Sequence, residues 1–469
     1  MADPAQAFHP EHIITEIAEF IGDPVRAAEF PEHIVRWRND MAAATVGLAG
    51  LSDSEWIAHF GRFEPLTGSL PEPLALRYHG HQFRNYNPDI GDGRGFLFAQ
   101  MRDGAGRIMD LGTKGSGTTP YSRFGDGGLT LKGGVREILA TEMLEALGVE
   151  TSRTFSLIET GLELHRGDEP SPTRSAVMVR LSHGHIRIGS FQRLATLGQH
   201  DALHRLVAYA LKHYYGEDAG ADAPARLLAL VAGKAARLAA SYMAAGFVHG
   251  VLNTDNINIT AESFDYGPWR FAQTFDPGFT AAYFDSAGLY AFGRQAEAIH
   301  WNVVQLAIAL NTIAEVEPLA AAVDGFAPAY RTALVAAMLW RLGVAARDDD
   351  ENIGLVQAME AGLIASRVNI DRFFFDWAGG DLRAGHGDYA ADHFAAFRDA
   401  VAPFASALDL ADHYWSDAAP CGMAIEEVEA IWQPIADGDD WSPLDAKAVA
   451  IRRMGAALAN RSRRAKDMV

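Results

Sequence analysis

With 469 residues, 49% of them hydrophobic, the chain has the length and apolar content to fill the cores of two or three domains. Its formal net charge of −20 argues against a generic nucleic-acid or anionic-membrane partner, so any phosphate it binds must meet a local cationic pocket. A single cysteine, Cys421, excludes an intrachain disulfide or cysteine-based zinc site; with no leader-like pattern at the start and no apolar run of the roughly eighteen residues a membrane span needs, a cytoplasmic location is expected.

Residues 1–75 read as an N-terminal extension with short helical patterns at 12–21 and 33–44 and no legible function. The text then changes to R-Y-H-G-H-Q-F-R-N-Y-N-P-D-I-G-D-G-R-G-F-L-F, in which Gly91, Gly93 and Gly95 bracket Asp92 and Arg94 ahead of an alternating Phe96, Phe98 strand. Turns without side chains let backbone N–H groups come close to phosphates, although glycine-rich hairpins without that role are common. His79 and His81 share one face of a strand, but no third ligand of matching kind lies near. They read as structural or hydrogen-bonding residues rather than metal ligands.

Residues 108–113 alternate like a strand and deliver Lys114 at its end, where an ammonium can bridge phosphate oxygens. The stretch 131–147 has helical periodicity (Val135, Ile138, Leu139, Met143, Leu144, Leu147), ends at Gly148 as a C-cap, and places Glu137 one turn inside. Either charge alone would read as a solvated surface group; glycine turn, strand lysine and helix glutamate in that order carry the inference. Strands are expected at 154–157, 177–181 and 186–188, with Arg180 and Arg187 at strand ends. There their guanidinium groups either aim into a cleft, as polyphosphate requires once water is excluded, or stand exposed.

From residue 201 the composition turns helical and alanine-rich, with patterns at 201–215, 224–245, 293–315, 317–343 and 353–366. Gly233-Lys234 is not a P-loop, because no glycine stands five residues earlier and alanine follows the lysine. The acidic run 348–351 reads as a solvated loop, and the basic tail from Arg452 as a solvated helix end. Between these helices lies 246–267, G-F-V-H-G-V-L-N-T-D-N-I-N-I-T-A-E-S-F-D-Y-G, with Asp255 beside Asn256 and then Asp265-Tyr266-Gly267. Phosphoryl-type transfer to a hydroxyl needs a carboxylate at the acceptor proton, plus an amide oxygen and a second carboxylate on Mg²⁺. Those three oxygens occur here in that order. A short hairpin with Ile257, Ile259 and Phe264 turned inward would return Asp265 to the same metal. Turn chemistry built on Asp, Asn and Gly is the alternative.

This stretch resembles the catalytic loop and D-F-G element of the protein-kinase fold, with the difference that Asp255 and Asn256 are adjacent. Together with G-D-G-R at 91–94, K-G-S-G-T-T-P-Y-S-R at 114–123, G-D-G-G at 125–128 and R-E-I-L at 136–139, the chain resembles the selenoprotein O family over roughly residues 75–345. The resemblance implies an α+β, protein-kinase-like bilobal fold: an N-terminal extension (1–75), a small β-rich nucleotide lobe (76–200) and a large helical lobe (201–469). It implies a protein adenylyltransferase that binds ATP inverted relative to kinases and passes AMP to Ser, Thr or Tyr hydroxyls of target proteins, releasing pyrophosphate. By the same resemblance Asp255 is the general base, and Asn256 and Asp265 ligate Mg²⁺ or Mn²⁺. Lys114, Arg180 and Arg187 hold phosphates; Gly91, Gly93, Arg94, Asp126 and Gly127 complete the ATP site; Glu137 pairs with Lys114. Pyrophosphate carries more charge than the leaving group of a kinase, which gives the extra arginines a purpose. The chain departs from the family in lacking a C-terminal Cys or selenocysteine and a P-R-N-H-like element, so Cys421 alone cannot form a disulfide switch; Arg84 also stands where a small residue is expected. A kinase-like phosphotransferase moving the γ-phosphoryl group, and a non-catalytic ATP-binding pseudokinase, are the competing readings.

Overall fold

In the computed structural model, which describes residues 7–167, 169–383 and 387–461, alternating apolar residues build a nine-stranded antiparallel sheet. Its strands are β1 (His9–Glu11), β2 (Gly22–Pro24), β3 (Ile34–Arg38), β4 (Leu74–Leu76), β7 (Leu97–Arg102), β8 (Ile108–Lys114), β9 (Leu129–Thr130), β10 (Arg153–Leu164) and β11 (Thr173–Ser182). A separate hairpin joins β5 (Gly80–Gln82) to β6 (Asn85–Asn87). The main path runs β2-β4-β7-β8-β11-β10-β3, with β1 on β7 and β9 on β11.

The sheet is buried on both faces, and the period of two decides what each face carries. Met109, Leu111, Val177, Val179 and Leu181 point toward Trp56 and Phe60. Ile108 and Met178 point the other way, toward Val135, Ile138 and Leu139 of the helix Leu131–Ala146. Lys114 and Arg180 are in phase with this second set, on the same side of the sheet as the helix that bears Glu137. The pairings Lys114 with Met178 and Gly112 with Arg180 fix the register.

The first 75 residues do more than extend the chain: they supply β1, β2, β3 and most of β4, and the helix Asp53–Phe60, whose Ser52 and Glu55 form a capping box. The helical pattern expected at 33–44 resolves instead into β3 and a short helix, Asp40–Ala44, because pairing with β10 outweighs local propensity. The helix expected at 317–343 is broken at Gly325 into Val316–Asp324 and Phe326–Leu342. The acidic run is a helix start rather than a loop: Asp348 accepts from the Glu351 N–H at 2.9 Å, and its carboxylates face the positive end of Asp349–Ser366.

Among the described residues the helix Ala223–Ala245 is the one long and apolar enough, by length and composition, to cross a membrane, although Arg226, Lys234 and Arg237 interrupt its apolar run. It is mostly buried here and packs against Gln295–Leu310 and Phe326–Leu342 as the central helix of the helical lobe. The C-terminal helix Ser442–Ala459 returns to the β-rich side. There Arg452 forks onto Glu142 at 2.7 and 2.8 Å, so the basic tail is anchored at its start rather than solvated throughout. The rest of that tail, 462–469, and the first six residues lie outside the described residues.

Candidate active site

The helix Ala223–Ala245 ends at Gly246, whose φ of +69° a residue with a side chain rarely adopts, and the chain turns into a two-residue strand, Phe247–Val248. A 3₁₀ turn, Thr254–Asn256, follows. The hairpin expected beyond it does not form. Ile257 and Ile259 exchange backbone bonds with the other lobe instead: the Ile188 N–H donates to the Ile257 carbonyl at 3.0 Å and the Ile259 N–H to the Ile186 carbonyl at 2.8 Å. Ile257, Ile259 and Phe264 are buried as expected, but through this inter-lobe bridge. The strand expected at 186–188 is that single bridge, and the chain enters the helix Ile188–Thr196 directly after Arg187. Arg187 is thereby placed over the turn that bears Asp255.

Asp265, in the left-handed region at φ +59°, is the centre of the charge cluster. Its Oδ1 accepts from Arg180 Nη1 at 2.6 Å and its Oδ2 from Arg187 Nη1 at 2.8 Å, and Lys114 Nζ stands 3.8 Å from Oδ1. Lys114 is in turn paired with Glu137 from behind. Burial alone would raise the Asp265 carboxyl, but Arg180, Arg187 and Lys114 outweigh it and hold the group well below the usual carboxylate range. Burial pushes the Lys114 ammonium down, against the pull of Glu137. Both guanidinium groups lie over the Phe264 ring, Arg180 at 5.2 Å and Arg187 at 4.9 Å, so an apolar face supports a dense set of cations.

Asp255 sits at the other side of this cluster. Its backbone carbonyl accepts from Arg187 Nη1 at 3.0 Å, and Gln82 Nε2 is 3.4 Å from its Oδ2. Its Oδ1 is buried and has no protein partner among the described residues. Burial raises this carboxyl to about 6, with Arg187 opposing. Asn256 donates its Nδ2 to the Val251 carbonyl at 2.8 Å, which leaves its amide oxygen available. The Asn256 amide oxygen and the remaining lone pairs of Asp265 are hard donors. They fit Mg²⁺ or Mn²⁺ if phosphate oxygens and water complete the coordination.

A cleft of about 790 Å³ joins these groups to the glycine segments. Its lining includes Gly91, Gly93, Arg94, Lys114, Asp126, Gly127, Arg180, Arg187, Asp255, Asn256 and Asp265, while Glu137 stands behind Lys114 and does not line it. The glycines are required by close approach. A Cβ on Gly91 would fall 2.5 Å from the Tyr121 ring, and one on Gly127 (φ +69°) 2.2 Å from the backbone of Gly117. Arg94 is exposed, and Asp126 is turned outward onto Arg166 at 2.8 Å.

Several contributors were missed by the sequence reading. Asp92, between the glycines, accepts from Arg187 Nη2 at 3.0 Å and from the Leu76 N–H at 3.1 Å, and Tyr78 places its ring 4.3 Å from the Arg187 guanidinium. The β5–β6 hairpin clamps the loop that leads into Asp255: the His81 N–H donates to Thr254 Oγ1 at 2.7 Å and the Phe83 N–H to Asn253 Oδ1 at 3.0 Å. His79 and His81 hydrogen-bond to Tyr86 and Gln192. Arg84, which stands where a small residue is expected, is paired with Glu297 at 3.1 Å and is not among the residues lining the cleft.

The family model described as "Protein adenylyltransferase SelO" matches residues 5–391. A protein nucleotidyltransferase YdiU of Synechococcus elongatus is 43% identical over 470 aligned residues, covering 93% of each chain. Its namesake in Gloeobacter violaceus is 44% identical over 444 residues, covering 90% of each, and that of Pseudomonas aeruginosa is 40% identical over 309, covering 65% of this chain and 62% of the relative.

Proposed function

Because this chain belongs to the protein adenylyltransferase SelO family, we propose that its cleft carries out protein nucleotidyl transfer with ATP as donor and Ser, Thr or Tyr hydroxyls of target proteins as acceptors. The single observation that carries the ATP reading is Asp265 held between Arg180 and Arg187 with Lys114 beside it, three buried cations around one half-buried carboxylate. Glu137 and Asp92 balance Lys114 and Arg187 from behind, so the three cations are held side by side at the cleft, where the oxygens of a triphosphate find charge-assisted donors.

The reaction then runs as follows. Asp255, whose raised proton affinity suits a base working near neutrality, takes the proton of the acceptor hydroxyl. The oxygen attacks the α-phosphorus, the bond from that phosphorus to the α,β-bridging oxygen breaks, and AMP becomes esterified to the protein. The departing pyrophosphate carries the electron pair of the broken bond, and Arg180, Arg187 and Lys114 stabilise its charge. Asn256 and Asp265 are the residues that would hold a divalent ion, which when bound would neutralise phosphate charge. Gly91, Gly93 and Gly127 let the backbone pack closely against Tyr121 and Gly117 and so shape the wall the nucleotide meets, and Arg94 and Asp126 flank it. Glu137 keeps Lys114 aimed at it.

Incubating the protein with ATP labelled at the α-phosphate is expected to label protein acceptors with release of pyrophosphate, whereas γ-labelled ATP leaves them unlabelled. Label from the γ position with release of ADP would overturn the reading in favour of phosphoryl transfer. We place the protein in the cytoplasm, a reading supported by its single cysteine; cell fractionation tests it.

A further inference from the structure

We infer that Phe124 is the stacking platform for the nucleobase, and so the residue by which the cleft tells a nucleotide from a bare polyphosphate. This rests on the nucleotide reading above and deepens it. While Arg94 and Arg123 line its exposed part, the buried cations of the cleft are gathered at its inner end, Lys114, Arg180 and Arg187 having 7%, 4% and 3% of their surface exposed. A triphosphate bound by them leaves the nucleoside pointing outward. The outer rim is formed by the segment 121–128, all of which lines the same cleft.

The rim has a fixed stem and a bare tip. Thr119 Oγ1 donates to the Asp92 carbonyl and Ser122 Oγ to the Gly93 carbonyl, and the Tyr121 ring lies against Gly91, so the stem is fastened along the glycine segment. The Gly125 N–H closes a turn onto the Ser122 carbonyl at 2.7 Å, and Asp126 is held by Arg166 on the far side. Within that turn Arg123 takes a left-handed conformation at φ 53°. Phe124 at the tip is fully exposed, at 106%, the most exposed large apolar side chain among the described residues. No packing within the chain accounts for an aromatic ring held out by a hydrogen-bonded turn at the rim of a polar cleft. A purine ring has the complementary flat face, and base–aromatic stacking tolerates any base.

The test compares two probes, Mg-ATP and inorganic tripolyphosphate, by titration calorimetry on the full chain and on Phe124→Ala and Phe124→Trp. Phe124→Ala is expected to weaken ATP binding about tenfold, within the range base–aromatic stacking gives per base, and to leave tripolyphosphate binding unchanged. Phe124→Trp is expected to keep ATP affinity, with its indole emission quenched by ATP and not by tripolyphosphate. Unchanged ATP affinity in Phe124→Ala, equal weakening of both probes, or an indole blind to ATP would each overturn the inference while leaving the nucleotide site in place. Failure of the unaltered protein to bind either probe would remove the nucleotide reading, and this inference with it.

Discussion

Arg187 and Asp265 meet at 2.8 Å through a nitrogen that also donates to the backbone carbonyl of Asp255, while the second terminal nitrogen of the same arginine reaches Asp92 at 3.0 Å. One guanidinium therefore sets the distance between Asp255 and Asp265, and ties both to the glycine segment. A lysine cannot reproduce this, because a single ammonium lacks the planar fork. Arg187→Lys is expected to lower stability by about 3 kcal/mol, the scale for breaking a buried ion pair, and to abolish transfer. Urea denaturation and transfer of label from α-labelled ATP measure the two effects; native-like stability with retained transfer would refute the assignment.

Asp255→Asn removes the proton acceptor but keeps the shape and the Arg187 contact, which is made to the backbone. Transfer is expected to fall about 10²- to 10⁴-fold, the usual contribution of a general base, with ATP affinity kept. Pyrophosphate release and calorimetric titration separate the two, and a matching loss of ATP binding would point to a structural role instead.

Burial holds the Asp255 carboxyl at about 6, above its ordinary value, so the base is protonated below that pH and free above it. The profile of kcat/KM is expected to rise with pH through about 6 and then level. The stability contribution runs the other way. The folded chain holds this proton more tightly than the unfolded one, so the contribution is complete below the ordinary aspartate range and is lost as pH rises through about 6. Asp255→Asn should flatten that part of the stability curve; a slope unchanged in the variant would show that another group is responsible.

Gly127→Ala should damage the cleft from its rim. Position 127 has φ +69°, and an added Cβ would meet the Gly117 backbone at 2.2 Å, so the two glycine turns must part. A loss of more than about 1 kcal/mol is expected, together with weaker ATP binding. Thermal unfolding and ATP titration would read these, and an unaltered melting point would contradict the packing described.

Lys114, Glu137 and the 255–265 acids were legible in the sequence because each depends on short-range order: a period of two that ends on the lysine, a period near four that carries the glutamate, and a loop spelled out in consecutive letters. Asp92 and Gln82 were not, because their roles exist only across the fold. Asp92 is 95 residues from Arg187, and Gln82 173 residues from Asp255. The expected hairpin after Asn256 failed for a related reason. Its backbone groups are satisfied by Ile186 and Ile188 from the other lobe, a pairing that local alternation cannot reveal. Phe124, a lone aromatic among glycines, gave no pattern to read.

The helix Leu131–Ala146 is clasped on two sides, by the sheet and by Ser442–Ala459, where Arg452 grips Glu142 and Gly455 lies so close that an added Cβ would be 3.0 Å from Ala146. Amide exchange along this helix should be the same with and without nucleotide. A support locked this way keeps Glu137, and through it Lys114, at one fixed point behind the cleft.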